Sequence, residues 1–436
     1  MWRGPFALFL LVAQALTLFL GVKWLGKSWG ALPFTLSTMA LGWHYLASVR
    51  DEAPSVKTRL SAAASSPRNG LIALASVVAV AVACGLGLAD QFAAVPNYID
   101  YSDVIPQNVA LFERTMRGEY PYYPVPMPAW SGPFPVYMPL HWLPVGIAKL
   151  LSIDVRWSGA ILLLLACTGS AWLLGRRAQT WWAAAAIGPA AGMILLGYLL
   201  YTEYDLPVSY DLHIAGYYIV LSLGLALRQL RLIALGLVLC FLSRYTLVFW
   251  MPTVVLLMLY EPEHRREVWT YLGVLAIAVL VGYVLPFVVR DPMVLFKGVE
   301  YHNDAAIAEW RGYGGVSYSM EVGAYFAHFY KANFQGDMAQ RLFLGRVVQG
   351  ALMLALMAAS LWGWWRLRCR VVLYDYLLFA LFMVIAHFYL FGVLTYRYYY
   401  VGLFGISFVM VAQVLARAHP QKGAGALSPP APPSAA

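Results

Sequence analysis

Gly70-Leu-Ile-Ala-Leu-Ala-Ser-Val-Val-Ala-Val-Ala-Val-Ala-Cys-Gly-Leu-Gly-Leu-Ala-Asp-Gln-Phe-Ala93 decides the fold class. From Gly70 to Ala89 it carries no charge, and it shows no strand-like alternation of apolar and polar residues. About 20 such residues cross the hydrocarbon of a bilayer as a helix. Backbone amides in lipid must be satisfied internally, which leaves helices or closed barrels, and a continuous apolar run selects the helix. Similar runs recur at 5–25, 30–48, 155–174, 180–200, 213–228, 268–289, 343–365, 371–393 and 397–416. The chain has 436 residues, of which 61% are hydrophobic and 12% charged. A soluble domain carries roughly 25% charge, so a soluble multi-domain protein is excluded. The opening run reaches about Leu25 without a small-residue cleavage motif and is read as a retained first span.

The net charge of +9 is a topology signal. The cations sit in short segments between spans: Arg50, Lys57, Arg59 and Arg68; Arg176 and Arg177; Arg228 and Arg231; Arg265 and Arg266; Arg366, Arg368 and Arg370; Arg417 and Lys422. Placing them all in the cytoplasm satisfies the positive-inside rule, and no nucleic-acid partner is implied. Two segments do not cross simply. Residues 133–152 carry Pro133, Pro135, Pro139 and Pro144, which fits a broken or surface-lying helix. Residues 231–260 are long for one span and short for two, so a pair of short helices meeting at Arg244 is expected. The fold class is therefore an all-α polytopic membrane protein with about 10–12 transmembrane or re-entrant helices and short surface helices. One domain covers 1–420, and a Pro/Ala-rich tail at 421–436 reads as disordered.

The outer segments are then 94–133, 201–212, 290–340 and a short turn near Tyr396. The first holds Asp100-Tyr-Ser-Asp103 and Gly118-Glu-Tyr-Pro-Tyr-Tyr123, and leads into Pro133-Phe-Pro-Val-Tyr-Met-Pro-Leu-His141. Asp100 and Asp103 are either solvated carboxylates, one of them capping the helix that Pro106 starts, or a general base at the membrane surface. Val109–Arg117 reads as a short amphipathic helix that would hold such a base in place. In the second, Tyr201-Thr-Glu-Tyr-Asp205 leads to Asp211-Leu-His213. Asp211 and His213 are read either as helix-capping loop residues or as lining for a pocket near Asp103. Arg244 and Arg397 are the cations suited to phosphate, against snorkelling or stacking in a tyrosine belt. The segment 290–340, with Tyr301-His-Asn-Asp304, Glu309-Trp-Arg311 and Gly312-Tyr-Gly-Gly315, is read as a lid or a sugar-binding loop. Cys84, Cys167, Cys240 and Cys369 show neither a disulfide framework nor metal spacing. His302 and Asp304 are weak metal candidates, and no required metal or cofactor is expected.

The acidic position, the glycine turn at Gly118-Glu-Tyr-Pro-Tyr and the proline motif Tyr137-Met-Pro-Leu140 together resemble the GT-C superfamily of integral-membrane glycosyltransferases. The resemblance is sharp over about 98–145. It departs from the family in spreading an adjacent acidic pair to Asp100-x-x-Asp103, and in reading Met-Pro-Leu where Pro-Pro-Leu is usual. It implies a polyprenyl-phosphate-linked sugar donor and a lipid, glycan or protein acceptor. Transfer would occur with inversion at the periplasmic or exterior face of a cell (inner) membrane. In that reading Asp103 or Asp100 is the base, and Arg244 and Arg397 hold the leaving phosphate. Tyr137, His141, Asp211, His213, His302 and Arg311 complete the substrate-binding candidates. The rival readings are a flippase or transporter of lipid-linked sugars and a non-catalytic scaffold. A transporter calls for mid-depth charges and paired halves, neither of which is evident in the sequence.

Overall fold

The computed structural model describes residues 2–50, 65–95, 102–127, 132–312 and 325–417. Asp100, Tyr313-Gly-Gly315 and the 421–436 tail lie outside them. The described chain is helical, with no strand among the described residues. Eight of its helical stretches are long and apolar enough to cross a membrane: Arg3–Trp29, Pro67–Ala94, Arg156–Gly175, Trp181–Tyr201, Pro262–Val288, Met338–Leu367, Leu373–Leu390 and Arg397–Arg417. The expected spans at 30–48 and 213–228 are the helices Ala31–Arg50 and Leu212–Leu227. The first is not apolar enough to join the eight, and the second is shorter, at 16 residues.

In chain order the helices are α1 (Arg3–Trp29), α2 (Ala31–Arg50), α3 (Pro67–Ala94), α4 (Val104–Met116), α5 (Pro139–Trp142) and α6 (Val145–Leu151). Then come α7 (Arg156–Gly175), α8 (Trp181–Ala185), α9 (Ile187–Tyr201), α10 (Leu212–Leu227), α11 (Leu230–Phe241) and α12 (Met251–Tyr260). The series closes with α13 (Arg265–Val279), α14 (Val294–Arg311), α15 (Ala327–Asn333), α16 (Met338–Leu367), α17 (Leu373–Leu390) and α18 (Val401–Arg417). A π-helical stretch at Leu280–Val288 contains Pro286, whose missing N–H explains the wider turn.

Lipid is as apolar as leucine, so close packing holds such a bundle together more than the hydrophobic effect does. Small residues permit that approach. A Cβ added at Gly405 of α18 would lie 2.8 Å from the Ala215 carbonyl oxygen of α10. One added at Gly188 of α9 would lie 2.1 Å from Ser76 Oγ of α3. Buried almost throughout, α18 is the central helix and packs on α1, α9 and α10.

Among the described residues, several of the cations between spans gather at one end of the bundle. Arg3 donates to the Ser48 carbonyl at 3.2 Å, and the Ser66 N–H donates to the Arg176 carbonyl at 2.8 Å. Asp375 is buried there beneath Arg417, at 3.0 Å, and Arg228, at 3.5 Å. Starting from this end, α11 runs inward to Ser243-Arg244 and α12 returns. From the opposite end the proline-rich segment enters and breaks into α5 and α6. The two tips meet: the Leu140 N–H donates to the Leu242 carbonyl at 2.8 Å, and Tyr217 OH of α10 donates to the Leu140 carbonyl at 3.1 Å. The expected loop at 290–340 is not a plain loop, because α14 and α15 occupy much of it. Helix α14 buries Val294, Ala306 and Trp310 while leaving Leu295, Phe296 and Val299 exposed.

Candidate functional site

Helix α4 is present but begins at Val104, two residues before Pro106 and five before the expected Val109, and it buries Val104, Ile105, Gln107, Asn108, Leu111 and Arg114 on one face. Gly118 follows with φ +74°, a backbone state that L side chains rarely adopt. This turn lets Arg114 fold the chain back over itself. Its guanidinium donates to the carbonyls of Pro121 (2.9 Å), Tyr123 (2.7 Å) and Pro124 (3.0 Å), and sits 3.4 Å over the Tyr123 ring.

Asp103 occupies the N-cap position of α4, but its side chain makes no capping bond. The Val104 N–H goes instead to Ser102 Oγ at 3.1 Å. Asp103 Oδ2 accepts from Gln107 Nε2 at 2.8 Å. Burial pushes its carboxyl up to about 6, the hydrogen bonds pull it back in part, and nearby Glu309 pushes it further up. A carboxyl in that range is mostly ionised at neutral pH yet still basic enough to accept a proton.

Beside Asp103 lies Tyr137, close enough to feel the charges of Asp103, Arg244 and Asp211. Its ring stacks on His141 with centroids 4.4 Å apart. His141 is completely buried, and both ring nitrogens face acceptors. Asn108 Nδ2 is committed to the Val104 carbonyl at 2.7 Å, which turns Asn108 Oδ1 toward His141 Nδ1 at 2.8 Å. His141 Nε2 meets Asp211 Oδ1 at 3.2 Å. The same carboxylate oxygen accepts from Arg244. Burial opposes charge on His141 and lowers its pKa, while Asp211 favours the charge. Asp211 Oδ2, Arg244 Nε and both nitrogens of His213 are buried without hydrogen-bond partners. His213 packs edge-on against His141 at 5.0 Å and against Tyr217 at 5.3 Å.

On its other side Arg244 lines a cavity of about 400 Å³. Arg346 and Gln349 from α16 and His302 and Asn303 from α14 face it as well, with Tyr389 and Tyr399 beyond. Arg244 lies 4.2 Å from the centroid of the Tyr399 ring. Arg346 donates to Asn303, and its second terminal nitrogen is buried without a partner. Burial, reinforced by Arg346, pushes His302 down to about 4, so it is neutral at physiological pH. Two guanidinia therefore share a cavity whose lining includes no carboxylate among the described residues. Its remaining wall is largely aliphatic and aromatic, including Val136, Phe249, Val299 and Phe388. Such a space suits an anionic headgroup attached to an apolar tail.

The structure thus brings Asp103, Tyr137, His141, Asp211, His213 and Arg244 into one neighbourhood, with His302 on the cavity wall. It places two other candidates elsewhere. Arg397 pairs with buried Asp205 at 2.9 Å and sits over the Phe19 ring, so its charge is already matched by a carboxylate. Arg311 is exposed at the end of α14 and does not line the cavity. Sequence reasoning missed Asn108, Arg346, Gln349 and the cavity-facing tyrosines. Arg346 carried one available signal: it is a lone cation within an otherwise apolar run. The chain matches no known protein-family model, no curated protein and no solved structure.

Proposed function

We propose that this protein is a membrane glycosyltransferase. It moves a sugar from an isoprenoid-phosphate-linked donor to an acceptor hydroxyl at the end of the bundle opposite the basic loops. The observation that carries this reading is the juxtaposition of a two-arginine, half-apolar cavity with Asp103, a carboxyl tuned to about 6. Tyr137 spans the two, since it follows the cavity residue Val136 and senses Asp103.

In this mechanism Asp103 accepts the proton of the acceptor hydroxyl. The acceptor oxygen attacks the anomeric carbon from the face opposite the phosphate, and the bond from that carbon to the phosphate oxygen breaks. The phosphate leaves with the electron pair, and Arg244 and Arg346 stabilise its growing charge electrostatically. Attack from the opposite face inverts the anomeric centre. The apolar wall takes the first isoprene units. The positive-inside pattern supports an outer-face location for this chemistry.

The test is to incubate purified protein with radiolabelled polyprenyl-phosphate sugars and membrane extract, and to identify the labelled product. Labelled glycoconjugate that disappears with Asp103→Asn supports the enzyme. One observation favours the transporter reading: Asp211, His141 and Arg244 form a buried charged cluster, as in proton-coupled carriers. Movement of labelled lipid across proteoliposomes without any transferred sugar selects that alternative.

A further inference from the structure

Arg244 faces two ways. Its guanidinium lines the cavity, and it also donates to Asp211 Oδ1, which is buried behind it. An arginine whose charge is cancelled by a carboxylate holds a second anion weakly, because the pair is neutral at a distance. Asp211 has another donor on that same oxygen, His141 Nε2 at 3.2 Å. The other nitrogen of His141 is held as a donor by Asn108 Oδ1. With Nδ1 carrying a hydrogen, a neutral ring would turn the lone pair of Nε2 toward the carboxylate. The surrounding acceptors therefore favour a ring with N–H on both sides, and burial opposes it.

We propose that His141 is a positioning residue that controls the grip of Arg244 on a phosphate in the cavity. As an imidazolium it takes up the charge of Asp211 and leaves Arg244 free to bind. As a neutral ring it returns Asp211 to Arg244. The trio then carries a net charge of +1 or zero while Arg244 and Asp211 stay ionised. Anion binding and protonation of His141 promote each other, since linkage is reciprocal. The inference rests on the cavity being a phosphate site.

The titratable and charged groups around His141 come from several elements. Tyr137 stacks on it from the proline-rich segment, and Tyr210, Asp211 and His213 face it from the start of α10. Arg244 stands across Asp211, and α4 contributes neutral Asn108 and, at its N-cap, the titratable Asp103 on the far side of Tyr137. Tyrosines stay neutral and arginine stays charged near neutral pH, so His213 and Asp103, whose carboxyl is raised to about 6, are the other groups able to carry such a proton dependence.

The experiment measures binding of a short isoprenyl phosphodiester to the full-length protein in neutral-lipid nanodiscs. The single charge of that probe is constant across the range from about pH 5 to about pH 9, where histidine titrates. The wild type should bind on the order of tenfold more tightly at the acid end. His141→Gln should bind at the weak level throughout, with no slope. Asp211→Asn should bind at the tight level throughout, because nothing then competes for Arg244. A slope that persists in His141→Gln overturns the inference. So does a slope that vanishes in His213→Gln or in Asp103→Asn, or an Asp211→Asn variant as weak as His141→Gln. Absence of binding by the wild type at every pH overturns the phosphate reading itself, and this inference with it.

Discussion

Replacing Asp103 by asparagine should make the protein more stable and, at the same time, inactive. The carboxyl is raised from 3.8 to about 6, mainly because burial strips water from its charged form. That gap of about 2 pH units corresponds to ~3 kcal/mol of unfavourable ionisation in the folded state, as a ceiling. The sign follows from the two end states. Below about pH 4 the folded and unfolded chains both hold the proton, and there is no penalty. Between about pH 4 and about pH 6 the unfolded chain releases its proton first, so stability falls as pH rises. Above about pH 6 the native carboxyl is ionised too, and the full ~3 kcal/mol is lost. Asparagine has no proton to lose, and its side-chain oxygen can still accept from Gln107 Nε2, as Asp103 does at 2.8 Å. Asp103→Asn should therefore exceed the wild type in stability by up to ~3 kcal/mol at pH 8, with the difference closing toward pH 4. The assay is reversible denaturant unfolding in matched detergent at each pH, paired with the glycosyl-transfer assay. Wild-type transfer should rise about tenfold per pH unit below about 6 and level off above it. A variant less stable than wild type at pH 8, or equally stable at all pH values, would refute the desolvated carboxylate. With it would go the case for a base tuned by burial.

Four further outcomes are expected. Arg346→Gln should raise KM for the lipid-phosphate donor by on the order of 10- to 100-fold, as expected for a lost charged hydrogen bond, and Arg346→Lys should recover only part of it. Breaking the buried Asp205–Arg397 pair with Arg397→Gln should lower stability by about 3–5 kcal/mol in denaturant titrations, since one buried charge is left uncompensated. Gly188→Ala should lower the thermal midpoint through its collision with Ser76, and Ser76→Gly should not restore it, because the Ser76 backbone carbon would also lie 2.5 Å away. Cys369 is exposed at the basic end, so a membrane-impermeant maleimide should label it only after permeabilisation; a cysteine at exposed Met116 should react in intact cells. The reverse pattern would invert the topology.

Periodicity and composition were enough to establish a helical, polytopic membrane chain, because long uncharged runs in lipid have few other stable forms. They also located the breaks. The prolines of 133–152 and the polar Ser243-Arg244 step mark places where a continuous helix cannot be sustained, and the structure has paired short helices at both. Local signals found Asp103, Gly118 and Arg244 because each is a chemical anomaly against its own neighbours. Partner choice was not legible. Arg244 and Arg397 look alike in sequence, yet one opens onto a cavity and the other is matched by Asp205, from a segment nearly two hundred positions earlier. Arg346 and His302 reach the cavity from α16 and α14, and Asn108 reaches His141 from α4, through contacts that only the packed bundle creates. Chain order determines which residues repel water and which bend the backbone. Which charge meets which depends on helix crossings set by close packing among many residues at once, and no local pattern encodes that.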